Sequence, residues 1–271
     1  MQSRLINQNW NRAELLNIDG EEISITIDVD QGARLASVQW RDLEFCVPDR
    51  GSTINWGWYS MAPWAGRVRD GALKDKNGNY YALPTNFTPP HAIHGFGLTE
   101  AWNEIGKGWF RMELPEPYGG ASVEQQFEIL GDAIRWTLEY EANGCDLPFW
   151  LGMHPWFPTE LARGGELELS FNPQKMYKRD SEGLPTGELI TPTSGPWDDC
   201  FTEVRGMPQL IYPGAAIVTL ESDAQYWVVY NEESEVLAIE PQTAPPDAAN
   251  LGIKGDSSIE LLITFEPDYD E

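Results

Sequence analysis

Three histidines in 271 residues confine neutral-pH proton chemistry to two short segments, since imidazole is the side chain that titrates near neutrality. His91 and His94 lie in Pro89-Pro90-His91-Ala92-Ile93-His94-Gly95-Phe96-Gly97, and His154 lies in Leu151-Gly152-Met153-His154-Pro155-Trp156-Phe157. Both segments mix glycine, proline and aromatics, as shaped loops do. A third segment carries Glu240, directly after the apolar run Val236-Leu237-Ala238-Ile239 and before Pro241. Proline holds its predecessor extended, so the sequence reads Glu240 as a rigidly aimed carboxylate at the mouth of a strand, suited to a general base or to an arginine partner.

Two further segments add recognition groups. Pro63-Trp64-Ala65-Gly66-Arg67-Val68-Arg69 supplies guanidinium groups beside an indole, and Pro196-Trp197-Asp198-Asp199-Cys200-Phe201 sets two carboxylates between aromatics. Ring faces beside fixed donors and acceptors suit a neutral sugar, which has an apolar face and a rim of hydroxyls. Taken singly, each group has an ordinary structural reading: a hydrogen-bonded histidine, a salt-bridged Arg67, a turn at Asp198. A metal site built from His91, His94, His154 and Glu240 is disfavoured, because Pro-Pro before His91 and glycine after His94 do not present both rings together. A glycosidase using Glu240 and Asp198 as paired carboxylates gives the two histidine segments no task. No nucleophile elbow, P-loop or dinucleotide fingerprint occurs.

The elements that must position these groups are strands. Residues 23–29 alternate apolar and polar without exception, and the period of two returns in 123–129, 134–140, 167–171 and 259–265. Alternation buries one face of a strand and wets the other. Turn formers separate the runs, at Gly131-Asp132, Asn143-Gly144, Gly164-Gly165 and Pro213-Gly214. No dozen residues carry a period of 3.6, so short helical turns are the most the sequence predicts. With 20 prolines and 25 glycines spread evenly, one all-β, mostly antiparallel domain with long loops spans residues 1–271, ending in a short flexible acidic tail over about 267–271.

Composition narrows the partners. With 43 acidic against 18 basic side chains and a formal charge of −25, the chain lacks the positive field that nucleic acid or an anionic membrane attracts. Cys46, Cys145 and Cys200 are far apart and odd in number, which suits a reducing compartment. The first residues lack the apolar core of a signal peptide, so the expected location is the cytoplasm.

Taken in order, the segments resemble those of the aldose 1-epimerase (galactose mutarotase) family. Pro63–Val68 is similar to its arginine segment, Ile93-His94-Gly95 to its His-Gly segment, and Gly152–Phe157 to its second histidine segment. Trp197–Phe201 is similar to the segment of its sugar-binding aspartate, and Glu240-Pro241-Gln242, with Pro246-Asp247 and Asn250, to that of its catalytic glutamate. The resemblance runs from about Ile23 to Phe265. It implies a twisted β supersandwich with few short helices and a cleft across one sheet. It further implies Glu240 as general base, His154 as general acid, and His94, Arg67, Asp198, Gln242 and Trp156 around the sugar. The activity implied is interconversion of the α and β anomers of a free aldohexose, by a monomer or homodimer with no cofactor or metal. The alternatives are a hexose-6-phosphate mutarotase, with Arg67 and Arg69 as the cation pair, and a carbohydrate-binding protein without catalysis. Acid–base chemistry predicts Glu240 ionised and His154 charged at rest.

Overall fold

The computed structural model describes residues 15–269. The predicted alternating runs are strands: Ile23–Asp28, Ser122–Ile129, Ala133–Glu141, Glu168–Ser170 and Ser258–Glu266. The only α-helix among the described residues is Ala248–Leu251, with two 3-10 turns besides, and no described helix is long and apolar enough to cross a membrane.

The strands form two large antiparallel sheets. The larger runs in the order Leu15–Asp19, Ile23–Asp28, Arg34–Trp40, Trp58–Met61, Gly152–Pro158, Val236–Gln242, Tyr226–Tyr230, Asp198–Val204, Pro173–Arg179 and Pro185–Ile190, with Leu43–Glu44 paired beside Arg34–Trp40. The second runs Asn103–Gly106, Trp109–Glu113, Ser122–Ile129, Ala133–Glu141, Ser258–Glu266, Ala216–Glu221, Gln209–Tyr212 and Glu168–Ser170. One buried apolar cluster joins them. Trp40 of the first sheet stacks on Phe265 of the second with centroids 6.0 Å apart, and Phe45 packs on the same ring at 5.0 Å. A buried polar link crosses as well: Ser60 Oγ donates to Gln125 Oε1, whose amide donates to the carbonyls of Gly32 and Ala33.

The two strands at the centre of the larger sheet, Gly152–Pro158 and Val236–Gln242, are buried along almost their whole length. A strand covered on both faces has no reason to alternate, which is why the period of two is silent here. Each also contains a proline. Their pairing is regular at Gly152 opposite Gln242 and again from Trp156 opposite Ala238, and it is interrupted between. Pro155 and Pro241 fall in the interruption, where each removes a ladder donor. Glu240 is therefore not at a strand end, as the sequence led us to expect. It sits within a central strand, at a place where the ladder opens.

Near the end of the chain Asp268 Oδ2 accepts from the Gly214 N–H at 2.9 Å, and Tyr269 hydrogen-bonds the Arg41 side chain. Residues 270–271 lie outside the described residues.

One turn beside the cleft tolerates no side chain. Gly95 has φ of +73°, and a Cβ there would lie 2.1 Å from the Ala62 carbonyl oxygen, which already accepts the N–H groups of Phe96 and Gly97. Gly95→Ala is expected to lose about 2–4 kcal/mol of stability in urea denaturation, from the left-handed backbone and the clash together. A loss under about 0.5 kcal/mol would show that the turn can relax.

Candidate active site

Sheet register lays out the floor. Tyr59 pairs with His154, Glu240 with Val228, and Val228 with Cys200. The flanking register sets His154 opposite Glu240 and Cys200 opposite Tyr177. Six strands thus contribute one row: Tyr59, His154, Glu240, Val228, Cys200, Tyr177. A parallel row two residues along holds Trp156, Ala238, Tyr230 and Asp198, with Arg179 at its end. Alternation sends the intervening residues, among them Met153, Phe157, Ile239 and Phe201, into the core between the sheets.

Over this floor lies a cavity of about 220 Å³, lined by His154, Trp156, Glu240, Asp198, Arg179 and Tyr230 from the sheet and by Arg67, His94 and Pro246 from outside it. The ribbon pairing Arg67–Val68 with Ala92–Ile93 brings Arg67 and His94 there together.

At its centre His154 Nε2 lies 3.2 Å from Glu240 Oε1, both side chains under 5% exposed. The imidazole stacks against two rings, Tyr59 at 4.7 Å and Trp156 at 4.8 Å. Both flanking rings are pinned to one acceptor, because the Tyr59 hydroxyl and Trp156 Nε1 donate to the Ile54 carbonyl. His94 meets His154 edge-on at 5.0 Å. Its Nδ1 accepts the Gly66 N–H, so its proton belongs on Nε2. Burial, reinforced by the Arg67 charge, holds the His94 pKa down at about 3, making it a neutral donor throughout the physiological range.

Glu240 and His154 are not placed to rest as two buried charges. Burial, seconded by the Asp198 charge, pushes Glu240 well above the carboxylate range, against the opposing pull of the Gln242 amide and Arg67. Burial, then His94, pushes His154 well below the imidazole range. Desolvation penalises both ionised forms, so the expectation of ionised Glu240 and charged His154 is corrected. Oε1 and Nε2 face each other at 3.2 Å, with both groups driven toward their neutral forms.

Asp198 lines the cavity, and its Oδ2 is 3.0 Å from Arg67 Nη1 and 3.5 Å from Arg179 Nη1. Arg179 Nε is 2.8 Å from Asp199 Oδ1, so Asp199 serves the arginine while its neighbour faces the cavity. Two sequence assignments move. Gln242, expected at the sugar, is fully buried and does not line the cavity; its Nε2 donates to Glu240 Oε2 at 3.1 Å. Two residues along the same strand, it shares Glu240's face and braces its carboxylate. Arg69, expected beside Arg67 as a cation pair, points elsewhere and is held by Asp180, Glu182 and Asp247. The second cavity cation is Arg179, which sequence reasoning missed because the segment Met176-Tyr177-Lys178-Arg179 carries no motif; only register to Asp198 reveals it. His91 also lies outside the cavity, its Nδ1 accepting the Asp70 N–H. Among the described residues no three His, Cys, Asp or Glu side chains converge to hold a metal ion. Phe96, the ring inserted after His94-Gly95, turns onto Trp64 at 5.0 Å.

The two sheets have the architecture of the galactose mutarotase-like proteins. The chain belongs to the aldose 1-epimerase family, whose pattern it matches over residues 15–209. A galactose mutarotase-like protein from Clostridium acetobutylicum superimposes with a TM-score of 0.79 at 17% identity, covering 95% of this chain and 96% of that one. The GalM/aldose epimerase homologue from C. elegans gives 0.74 at 16%, covering 94% and 99%. In sequence, the uncharacterized Escherichia coli K12 protein YihR is 24% identical over 258 residues, spanning 83% of this chain and 82% of its own.

Proposed function

We propose that the chain is an aldose 1-epimerase interconverting the α and β anomers of a free aldohexose such as glucose or galactose. The observation that carries this reading is the apposition of His154 Nε2 and Glu240 Oε1 at 3.2 Å inside a cavity of about 220 Å³. That volume is below the ~300–1,000 Å³ of drug-sized pockets and suits a single pyranose ring. Anomer exchange moves two protons at two oxygens attached to one carbon: one leaves the C1 hydroxyl, one arrives at the ring oxygen. Two adjacent groups, one able to give a proton while the other takes one, are matched to that task. Ring opening frees the C1–C2 bond to rotate, and closure on the other face reverses both transfers. Each group thus acts once as acid and once as base, and no group must be regenerated from outside.

Charge balance favours a neutral sugar over a phosphorylated one. The two cavity guanidiniums, Arg67 and Arg179, come already matched by Asp198 and Asp199, which leaves little surplus positive charge for a phosphate. Asp198 is then free to accept from sugar hydroxyls, with the rings of Trp156 and Tyr230 beside it. Asp198→Asn is expected to raise KM about 10- to 100-fold with a smaller change in kcat, since a hydrogen bond to a charged group is worth about 1.5–3 kcal/mol. An unchanged KM would remove Asp198 from the sugar.

The test of the reading is anomer exchange by polarimetry, from pure α-D-glucose and α-D-galactose, with glucose 6-phosphate alongside. Acceleration of the free sugars is the expected result. Acceleration confined to the phosphate would replace the substrate, and sugar binding with no acceleration would make the cleft a receptor.

A further inference from the structure

One polar side chain on the cavity wall has no partner inside the protein. Asn55 lines the cavity and is half-buried, and among the described residues its amide makes no hydrogen bond. The loop that carries it is fixed from several sides. The Ile54 carbonyl accepts from the Tyr59 hydroxyl at 2.9 Å and from Trp156 Nε1 at 2.8 Å. Arg34, completely buried, donates from Nη1 to the carbonyls of Thr53 and Trp56, which bracket Asn55. The Gly57 N–H closes the loop onto the Val47 carbonyl. None of these bonds uses the Asn55 side chain. They hold its amide, with one acceptor oxygen and two N–H donors, where a ligand can meet it without ordering the loop first.

Its place in the cavity decides what part of a sugar it meets. In the floor row Tyr59 lies on one side of His154 and Glu240 on the other. Ile54 is bonded to Tyr59 and to Trp156 of the His154 strand, so Asn55 stands at the His154 end. Asp198, with Arg67 and Arg179, stands at the opposite end, two strands beyond Glu240. A pyranose with its C1–O5 edge over the pair turns C2 toward one end and C5 toward the other. The charged end suits the adjacent hydroxyls of C2 and C3, which offer donors to a carboxylate and acceptors to guanidiniums side by side. A single neutral amide suits a lone hydroxyl, and on a hexose that is the C6 hydroxyl, held off the ring by an exocyclic carbon.

We propose that Asn55 reads the C6 hydroxyl and makes the site selective for aldohexoses over sugars that lack it, the aldopentoses and 6-deoxyhexoses. The choice of substrate rests on the aldose 1-epimerase reading; the recognition requires only that a pyranose occupy the cavity. This orientation sets the ring oxygen beside His154 and the C1 hydroxyl beside Glu240. It also disfavours a charged group at C6, because an amide donates to a phosphate or carboxylate without neutralising it, and the two cavity guanidiniums are at the far end. The hydroxyls on the cavity wall are already engaged: Thr88 with the His91 carbonyl, Tyr177 with Tyr226 and Tyr230 with Glu233. His94, with Nδ1 accepting from Gly66, has a donor alone to offer.

The experiment couples one side chain to one hydroxyl. Anomer exchange of D-glucose, 2-deoxy-D-glucose and 6-deoxy-D-glucose is followed by NMR at equilibrium, with the native protein and Asn55→Ala, and thermal melts check that the variant folds. Asn55→Ala is expected to lose about tenfold in kcat/KM on glucose and 2-deoxyglucose, the worth of one neutral hydrogen bond. On 6-deoxyglucose, where that bond has no partner, the loss is expected to stay below about twofold. The native protein itself should favour glucose over 6-deoxyglucose by a similar factor, and indifference to the C6 hydroxyl overturns the proposal without any variant. An equal fall on all three sugars would make Asn55 a shaper of the loop, and a fall that spares only 2-deoxyglucose would reverse the sugar in the cleft; either overturns it. Calorimetric affinities for the same sugars separate this from the function. If the sugars bind but none exchanges faster, and Asn55→Ala weakens only those with a C6 hydroxyl, the epimerase reading fails and the role of Asn55 stands. If none of the three binds or turns over, both fall.

Discussion

Glu240→Gln is expected to fold, to bind sugar within a few-fold of the native affinity, and to lose about 10²–10⁴ of kcat. The size follows from what one positioned acid–base group supplies, and the selectivity follows from shape. Glutamine reproduces the carboxyl's volume, and its side-chain oxygen can still accept from Gln242 Nε2, now at Oε2 of Glu240. Its amide neither accepts a proton from a sugar nor delivers one. The same substitution carries a stability signature. Burial raises the folded Glu240 pKa well above its ordinary value of 4.5. A group raised in the folded state favours folding below its unfolded pKa, and that advantage is lost as pH rises, because the unfolded chain ionises first. Glutamine has no such penalty, so the variant should gain on the native protein between acidic and neutral pH in thermal melts. Polarimetry reads kcat and calorimetry reads affinity. Turnover within tenfold of native would take proton transfer away from Glu240.

Much of the candidate site was legible in the sequence because its candidate groups are rare residue types in rigid surroundings. With three histidines to choose from, His94 and His154 were visible among prolines and aromatics, and both line the cavity. The outer strands were legible for a different reason: Ile23–Asp28 and Ala133–Glu141 have one wet face, so burial writes a period of two. What was not legible depends on register. Glu240 reads as a strand end because Pro241 reads as a stop, yet the strand runs on, and the proline instead interrupts pairing with a neighbour that carries a proline of its own. Gln242 was assigned to sugar by adjacency, although period two places it on Glu240's face, near enough to brace the carboxylate. Arg69 shares Arg67's face only if the strand continues, but the strand ends at Val68 and Arg69 opens a 3-10 turn, so the second cavity cation comes from another strand, where Arg179 stands opposite Asp198.

His154→Gln should lose about as much of kcat as Glu240→Gln, and the double variant should lose little more than the worse of the two. Independent contributions would multiply, giving about 10⁴–10⁸ from two factors of 10²–10⁴. The structure gives a reason for them not to multiply. Nε2 and Oε1 lie 3.2 Å apart, and opening a hemiacetal needs the hydroxyl proton removed and the ring oxygen protonated in the same event. With either partner gone, the remaining transfer would leave an alkoxide or an oxocarbenium charge in a site whose burial already penalises charge on both native groups. The surviving residue then has almost nothing left to contribute, and groups that act as a unit show this non-additivity. His154 also packs against Tyr59 and Trp156, so urea denaturation of each variant must accompany the rates to separate lost chemistry from lost packing. With folding intact, equal losses in the single and double variants establish a single acid–base unit. Multiplied losses would mean that each residue meets its own proton through water, and the 3.2 Å contact would be a feature of the sugar-free cleft rather than of the reaction.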